Sequence, residues 1–324
     1  MTAIDVDDLA MLATGFEAAM RDAPDPASTT AALVDLGWIE LLAASPAQAV
    51  ATAFGALGTT GSVAGLVDDV VAHALDIAPD AGTAVALPPP ARSAPPGTRD
   101  GGRIVVDGMA SARLHHAATV LVPVAAVDGV EVLAVDADRV RTEASPALDT
   151  DQALVRLRAT VDIADATPVD IQGAWPAAVA SGRVALAHQL VGASRTMLDQ
   201  ARQHAVDRVQ FGRAVSSFQA VRHKLAESLV AIEGAAAVVD AVGDEVDPLL
   251  AALAKSLAGQ AARTTSAHAQ QVLAGIGFTT DHPFHRWMKR AAVLDVALGS
   301  TASLPPEIGA ELLRRRSAPR LVEL

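Results

Sequence analysis

Apolar residues recur at three- and four-residue spacing from Val6 to about Leu75, with Leu9, Leu12, Phe16 and Met20 on one stripe until Pro24 and Pro26 break it. This period predicts amphipathic helices. Ser28, Thr29 and Thr30 supply capping side chains for a second helix through Leu33, Leu36 and Leu41. Ser45 and Pro46 read as the N-cap and first-turn proline of a third, and a glycine-punctuated fourth runs to Leu75. Residues 1–80 are expected as an N-terminal helical domain. Pro88, Pro89, Pro90, Pro95, Pro96 and Gly97 then exclude helix interior and central strand, so residues 81–102 are expected as a Pro/Gly-rich linker.

The period next shortens to two. Arg103 to Val106, Thr119 to Val122, Val130 to Val135 and Leu154 to Val161 are strand-like, the last alternating Val155, Leu157, Ala159 and Val161 with polar residues. With Gly108 and the Asp128–Gly129 pair as turn signals, residues 103–170 are expected as a truncated antiparallel sheet or partial barrel of roughly four to six strands. From Trp175 the helical period returns, with Val184, Leu190, Val191 and Met197 on one long helix and Phe218, Val221, Leu225 and Ile232 on a second. A third runs from Leu249 towards Gln271 and ends at Gly275–Gly277, so residues 171–324 are expected as a C-terminal helical bundle. The fold class is mainly α with a small β domain.

Composition removes whole classes of chemistry. The 324 residues include no cysteine and no tyrosine, which excludes disulfides, thiolate metal sites and thiol catalysis. A net charge of -12 without a basic patch argues against nucleic acid and anionic lipid as partners. No apolar run approaches the length of a bilayer, and the first residues are acidic where a signal peptide is basic, so no membrane partner and a cytoplasmic location are expected. His115, His116, His204, His223, His268, His282 and His285 have no carboxylates at ligand spacing, and are expected as surface or core histidines with no metal.

Two segments carry family-specific patterns. The first runs from Arg208 to Gln219 as Arg-x-Gln-Phe-Gly-x-x-Val-x-x-Phe-Gln; the second runs from Gln271 through Gly275 and Gly277 to Arg290. Their order and separation resemble the acyl-CoA dehydrogenase family, whose fold places a helical domain, a β domain and a four-helix bundle in this sequence. The resemblance implies that the two segments of one protomer reach across a subunit interface to FAD seated mainly in a neighbour. Arg208, Phe211, Gln219, Gln271 and Gly275 are the cofactor-binding positions it implies. Arg208 offers a permanent five-donor cation to a pyrophosphate, and Gln219, eleven residues on, an amide along the same groove. Phe211 offers an apolar wall, and Gly275 a close backbone approach beside Gln271. Ala274 stands where the family has a glycine.

The same resemblance shows what is missing. The family abstracts an α-proton from an acyl-CoA thioester with a glutamate. Its two known placements fall on Gly182 and on Leu298, neither of which accepts a proton. Asp295 lies one helical turn away, and Arg183 aligns with an active-site arginine of the family. The stretch that cradles a protomer's own flavin is replaced by the prolines between Leu87 and Gly102. The resemblance therefore points to the shortened non-catalytic subunit of an actinobacterial α2β2 acyl-CoA dehydrogenase. It carries no catalytic residue of its own, is inactive alone, and shares FAD with a homologous subunit. That partner holds most of the acyl-CoA, steroid side-chain or fatty, and an electron-transfer acceptor takes the electrons. Two readings stand beside it: a self-sufficient homomeric enzyme with Asp295 or Asp281 as base, and a flavin-free interaction protein.

Overall fold

The computed structural model describes residues 6–127, 129–143, 154–172 and 174–319; Asp128 of the expected turn and the first five residues of the acidic N-terminal stretch lie outside these. Five helices open the chain: α1 (Val6–Asp22), α2 (Pro26–Asp35), α3 (Trp38–Ala44), α4 (Pro46–Thr60) and α5 (Leu66–Ala74). The cap of α2 is Asp25 and not Ser28. Its carboxylate accepts the Ser28 amide at 2.8 Å, and Pro26 takes the first turn, where a missing N–H costs nothing.

Among the described residues the sheet has eight strands, more than the pattern suggests: β1 (Thr83–Val85), β2 (Gly97–Asp100), β3 (Arg103–Ser111), β4 (Thr119–Ala126), β5 (Gly129–Asp136), β6 (Arg141–Glu143), β7 (Leu154–Asp162) and β8 (Ala166–Val169). Its order is β6-β7-β3-β2-β4-β5-β8, with β1 beside β4. The β1 and β2 pairings with β4 are parallel, and the others are antiparallel. The expected linker thus contains two strands. Its prolines lie between them, where no ladder donor is needed. Gly108 is also not a turn. It lies within β3, where Leu87 crosses and exchanges backbone hydrogen bonds with Met109, and a Cβ would stand 2.3 Å from the Leu87 carbonyl oxygen. Ile104, Val106, Val120, Val122, Leu133 and Leu157 form the sheet's own core.

The C-terminal bundle consists of α6 (Trp175–Asp207), α7 (Gln219–Asp240), α8 (Pro248–Leu273) and α9 (Phe284–Val296), with α10 (Leu304–Arg315) packed on α8. A continuous core joins α4 and α5 to α6, α8 and α9. Among the described residues no single helix is long and apolar enough to cross a membrane.

A buried polar cluster rivets the first helices to the sheet. Asp68 accepts the Val85 amide at 2.6 Å and the Ser111 hydroxyl, while Asp69 accepts the Trp38 indole N–H at 2.9 Å and pairs with both terminal nitrogens of Arg113. Asp69 thus holds the guanidinium out of water, and Asp68 lies near enough to feel its charge. Burial pushes the Asp68 carboxyl up to about 6, against the opposing pull of Arg113, Ser111 and the Val85 amide. An unfolded aspartate releases its proton near pH 4, so between about pH 4 and 6 the folded chain holds a proton that the unfolded chain has lost. This group's contribution to stability is therefore present at acid pH and lost as the pH rises through that window. Urea titrations across the window should show the difference between wild type and Asp68→Asn moving in that sense. A difference independent of pH would show that Asp68 is ionised throughout.

Candidate functional site

Helix α6 ends at Asp207, and the chain turns back at once through a two-strand ribbon, β9 (Val209–Gln210) and β10 (Arg213–Ala214). Its two turn residues, Phe211 and Gly212, have φ of 54° and 76°. Positive φ at both positions matches the right-handed twist of a hairpin, but for phenylalanine it is strained. Phe211 is 92 % exposed and meets Phe218 edge to face, with centroids 6.1 Å apart and planes at 84°. The Arg213 guanidinium lies 4.1 Å from the centre of the Phe218 ring. The Val215 amide donates to the Arg208 carbonyl at 2.8 Å, closing the ribbon onto the end of α6.

Across from this ribbon, α8 ends in the segment that holds Gln271 and Gly275. Ala274 has φ 54° and ψ -134°, a conformation natural to glycine, and breaks the helix sharply. Between the two segments lies an open groove of about 670 Å³ lined by Arg208, Phe211, Gln271 and Gly275, with Gln210 and His204 beside them. Four of the five expected positions are together. Gln219 is not among the lining residues: it is the first residue of α7, exposed, and the reversal at Phe211–Gly212 replaces any helical path from Arg208 to it. His204 is the residue that sequence reasoning missed. Its signal is its spacing, four residues before Arg208 on one helical face.

The donor set suits a phosphate- and ribose-bearing chain. A guanidinium, side-chain amides and an imidazole face the groove, and no carboxylate lines it to repel an anion. Burial, and then Arg208, hold the His204 imidazole below its ordinary range. Among the described residues no group of three or more His, Asp or Glu could hold a metal ion.

The positions where the family's base is placed meet each other. Leu298 is fully buried at φ 56°, and a Cβ on Gly182 would lie 2.5 Å from its Cδ1, so the leucine side chain fills the space that the glycine leaves. Asp295 is also engaged. Its carboxylate accepts the Thr301 amide at 3.2 Å and the Thr301 hydroxyl at 3.0 Å. Below it Lys255, fully buried, donates to the carbonyls of Asp295 at 3.0 Å and Gly299 at 3.2 Å; burial pushes its ammonium down to about 8. Arg183 is a structural tie. It donates to the Leu298 carbonyl at 2.9 Å and the Ser93 hydroxyl at 2.7 Å, and pairs with Glu307 at 2.9 Å. Asp281 is exposed.

This order of helical domain, small sheet and bundle defines an acyl-CoA dehydrogenase fold. Residues 176–313 match the family described as acyl-CoA dehydrogenase, C-terminal domain. The acyl-CoA dehydrogenase IpdE2 of Mycobacterium tuberculosis is 36% identical over 116 residues, 36% of this chain and 36% of that protein. IpdE2 of Mycolicibacterium smegmatis is 34% identical over 163 residues, 50% of this chain and 49% of the relative. These matches span half or less of the relatives' own length. Among solved structures, the Tcur3481-Tcur3483 steroid ACAD superposes with a TM-score of 0.80 at 22% identity, covering 96% of this chain and 98% of the other. The ChsE4-ChsE5 complex of Mycobacterium tuberculosis gives 0.74 at 21%, covering 99% and 100%.

Ala274 provides a check on the groove's geometry. Replacing it with glycine removes the left-handed strain and should raise bundle stability by about 1 kcal/mol in urea unfolding. A loss of stability would contradict the backbone described here.

Proposed function

We propose that the chain is a subunit of a flavin-dependent acyl-CoA dehydrogenase that lends one wall of a flavin site to a homologous partner and has no catalytic base of its own. The groove that gathers Arg208, Phe211, Gln271 and Gly275 on an open face carries this reading. Bound FAD supplies the hydride acceptor for α,β-dehydrogenation of an acyl-CoA thioester. This chain's residues hold and screen it: Arg208 pairs with the diphosphate, Gln271 binds the more distal nucleotide, and Gly275 lets the backbone approach. Phe211 covers the cofactor from solvent. Gln219, beyond the groove lining, is the exposed first residue of α7.

Leu298 packed on Gly182 supports the second half of the reading, since no carboxylate stands where the family keeps its base. The thioester, the proton acceptor and the flavin ring are then the partner's, in an α2β2 assembly that an electron-transfer acceptor reoxidises in the cytoplasm. Asp295, held by both Thr301 donors, is a poor candidate for a base. A steroid side-chain acyl-CoA is the favoured substrate, from the likeness to a steroid ACAD.

Co-expression with a homologous acyl-CoA dehydrogenase subunit should give a yellow complex with about one flavin per heterodimer. Arg208→Ala should remove most of that flavin, and Asp295→Asn should leave acyl-CoA-dependent dye reduction unchanged. A stoichiometric flavin on this chain purified alone would sink the proposal.

A further inference from the structure

We propose that His204 is a second anion-binding side chain of the groove, pairing with Arg208 to hold a diphosphate ester and making that binding tighter as the pH falls. This rests on the reading of the groove as a half-site for a dinucleotide, and adds a residue and a proton to it. His204 lies one helical turn before Arg208, whose amide donates to its carbonyl at 2.9 Å, and both side chains line the groove. The imidazole is half-buried, and among the described residues its ring nitrogens make no hydrogen bond. A partly desolvated polar ring with open hydrogen-bonding capacity on a groove wall is suited to a ligand.

The charges around it set the direction of the pH effect. Arg208 and Asp207 act on it from α6, and it in turn disfavours the charged form of His282, itself beside His285, on the segment ahead of α9. Burial and the neighbouring guanidinium disfavour the protonated ring, so with the groove empty it is neutral near pH 7. A diphosphate between His204 and Arg208 supplies the negative charge that reverses this balance and raises the ring's pKa in the complex. Binding is then coupled to proton uptake. The gain in affinity is full below the pKa of the free ring and is lost as the pH rises through that of the bound ring. In the proposed reaction two molecules carry this chemistry, the flavin dinucleotide and coenzyme A, and both belong in the test.

The experiment uses the heteromeric complex stripped of flavin. FAD is titrated by fluorescence quenching at about pH 6 and about pH 8, and coenzyme A is titrated separately by calorimetry. Wild type should bind FAD at least about fivefold more tightly at the lower pH. His204→Gln should match wild type at the higher pH and lose the gain at the lower one. His204→Lys, a cation at both pH values, should bind tightly at both. A slope seen with coenzyme A and not with FAD keeps the diphosphate pairing and moves its source to the substrate's nucleotide. A slope that survives His204→Gln, or that is lost only in His282→Gln, overturns the assignment. The Arg208→Ala complex separates the two levels: loss of FAD there, with no effect of either His204 variant, refutes His204 and leaves the groove reading standing. Unchanged FAD binding in Arg208→Ala refutes the groove reading itself.

Discussion

Main-chain contact between α4 and α6 is the constraint on which the rest of the molecule depends. A Cβ on Gly58 would lie 2.3 Å from the Gln189 carbonyl oxygen, and one on Gly192 would lie 2.6 Å from the Gly55 carbonyl oxygen. At these glycines the two backbones meet directly, so neither helix can slide or rotate there without a clash. This pins α6 near its middle. Its 33 residues form a rod of about 50 Å. Toward its start are Gly182 and Arg183, against the Leu298 loop; at its end are His204 and Arg208, in the groove. The N-terminal helices, which contribute no residue to the groove lining, therefore help set where Arg208 and His204 stand.

The Leu298 loop is held by charges that water would solvate better. Lys255 and Arg183 donate to the carbonyls of Asp295, Gly299 and Leu298 at the C-terminal end of α9, where the helix dipole is negative. Burying an ammonium is costly, and the low pKa of Lys255 records that cost. Arg183 is neutralised by Glu307 and, through Ser93, ties the proline-rich segment to the bundle. The same segment is fixed by the Ala91 amide on the Val296 carbonyl at 2.7 Å and by the Trp175 indole on the Ser93 carbonyl at 3.2 Å. These bonds keep a leucine at positive φ with its side chain seated on Gly182.

Features governed by local rules were legible in the sequence. The three- and four-residue apolar stripes gave the helices, and the alternation at Val155, Leu157 and Val161 gave a strand of the expected kind. Features governed by distant contacts were not. Prolines between Leu87 and Gly97 hid two short strands: β1, whose pairing is set by β4 far along the chain, and β2, which turns back on β3 and touches β4 only at Gly97. Gly108 looked like a turn because nothing local reveals that Leu87 crosses there. The motif from Arg208 to Gln219 identified the groove but not its geometry: as a continuous helix it would align Gln219 with Arg208, whereas Phe211 and Gly212 reverse the chain between them. Asp68 and Asp69, which no local pattern singles out, are buried where the first helices meet the sheet.

The two ends of α6 contrast in what they offer to solvent. At the Leu298 end, polar groups are satisfied and the space beside Gly182 is filled, leaving little for a ligand to bind. At the Arg208 end, strain and exposure coincide. Phe211 is held at positive φ and almost wholly in water, with Ile276 and Phe278 exposed on the opposite segment. An isolated chain gains nothing from a strained aromatic directed into solvent, and apolar surface rimmed by cations is what a contact with another molecule removes from water. The Phe218 ring, with Arg213 over it and Phe211 at its edge, holds that surface in shape before anything covers it. A preformed wall loses less conformational entropy when it is covered than a loop that must first order. The strain at Phe211 is therefore the cost of presenting that surface in a fixed shape.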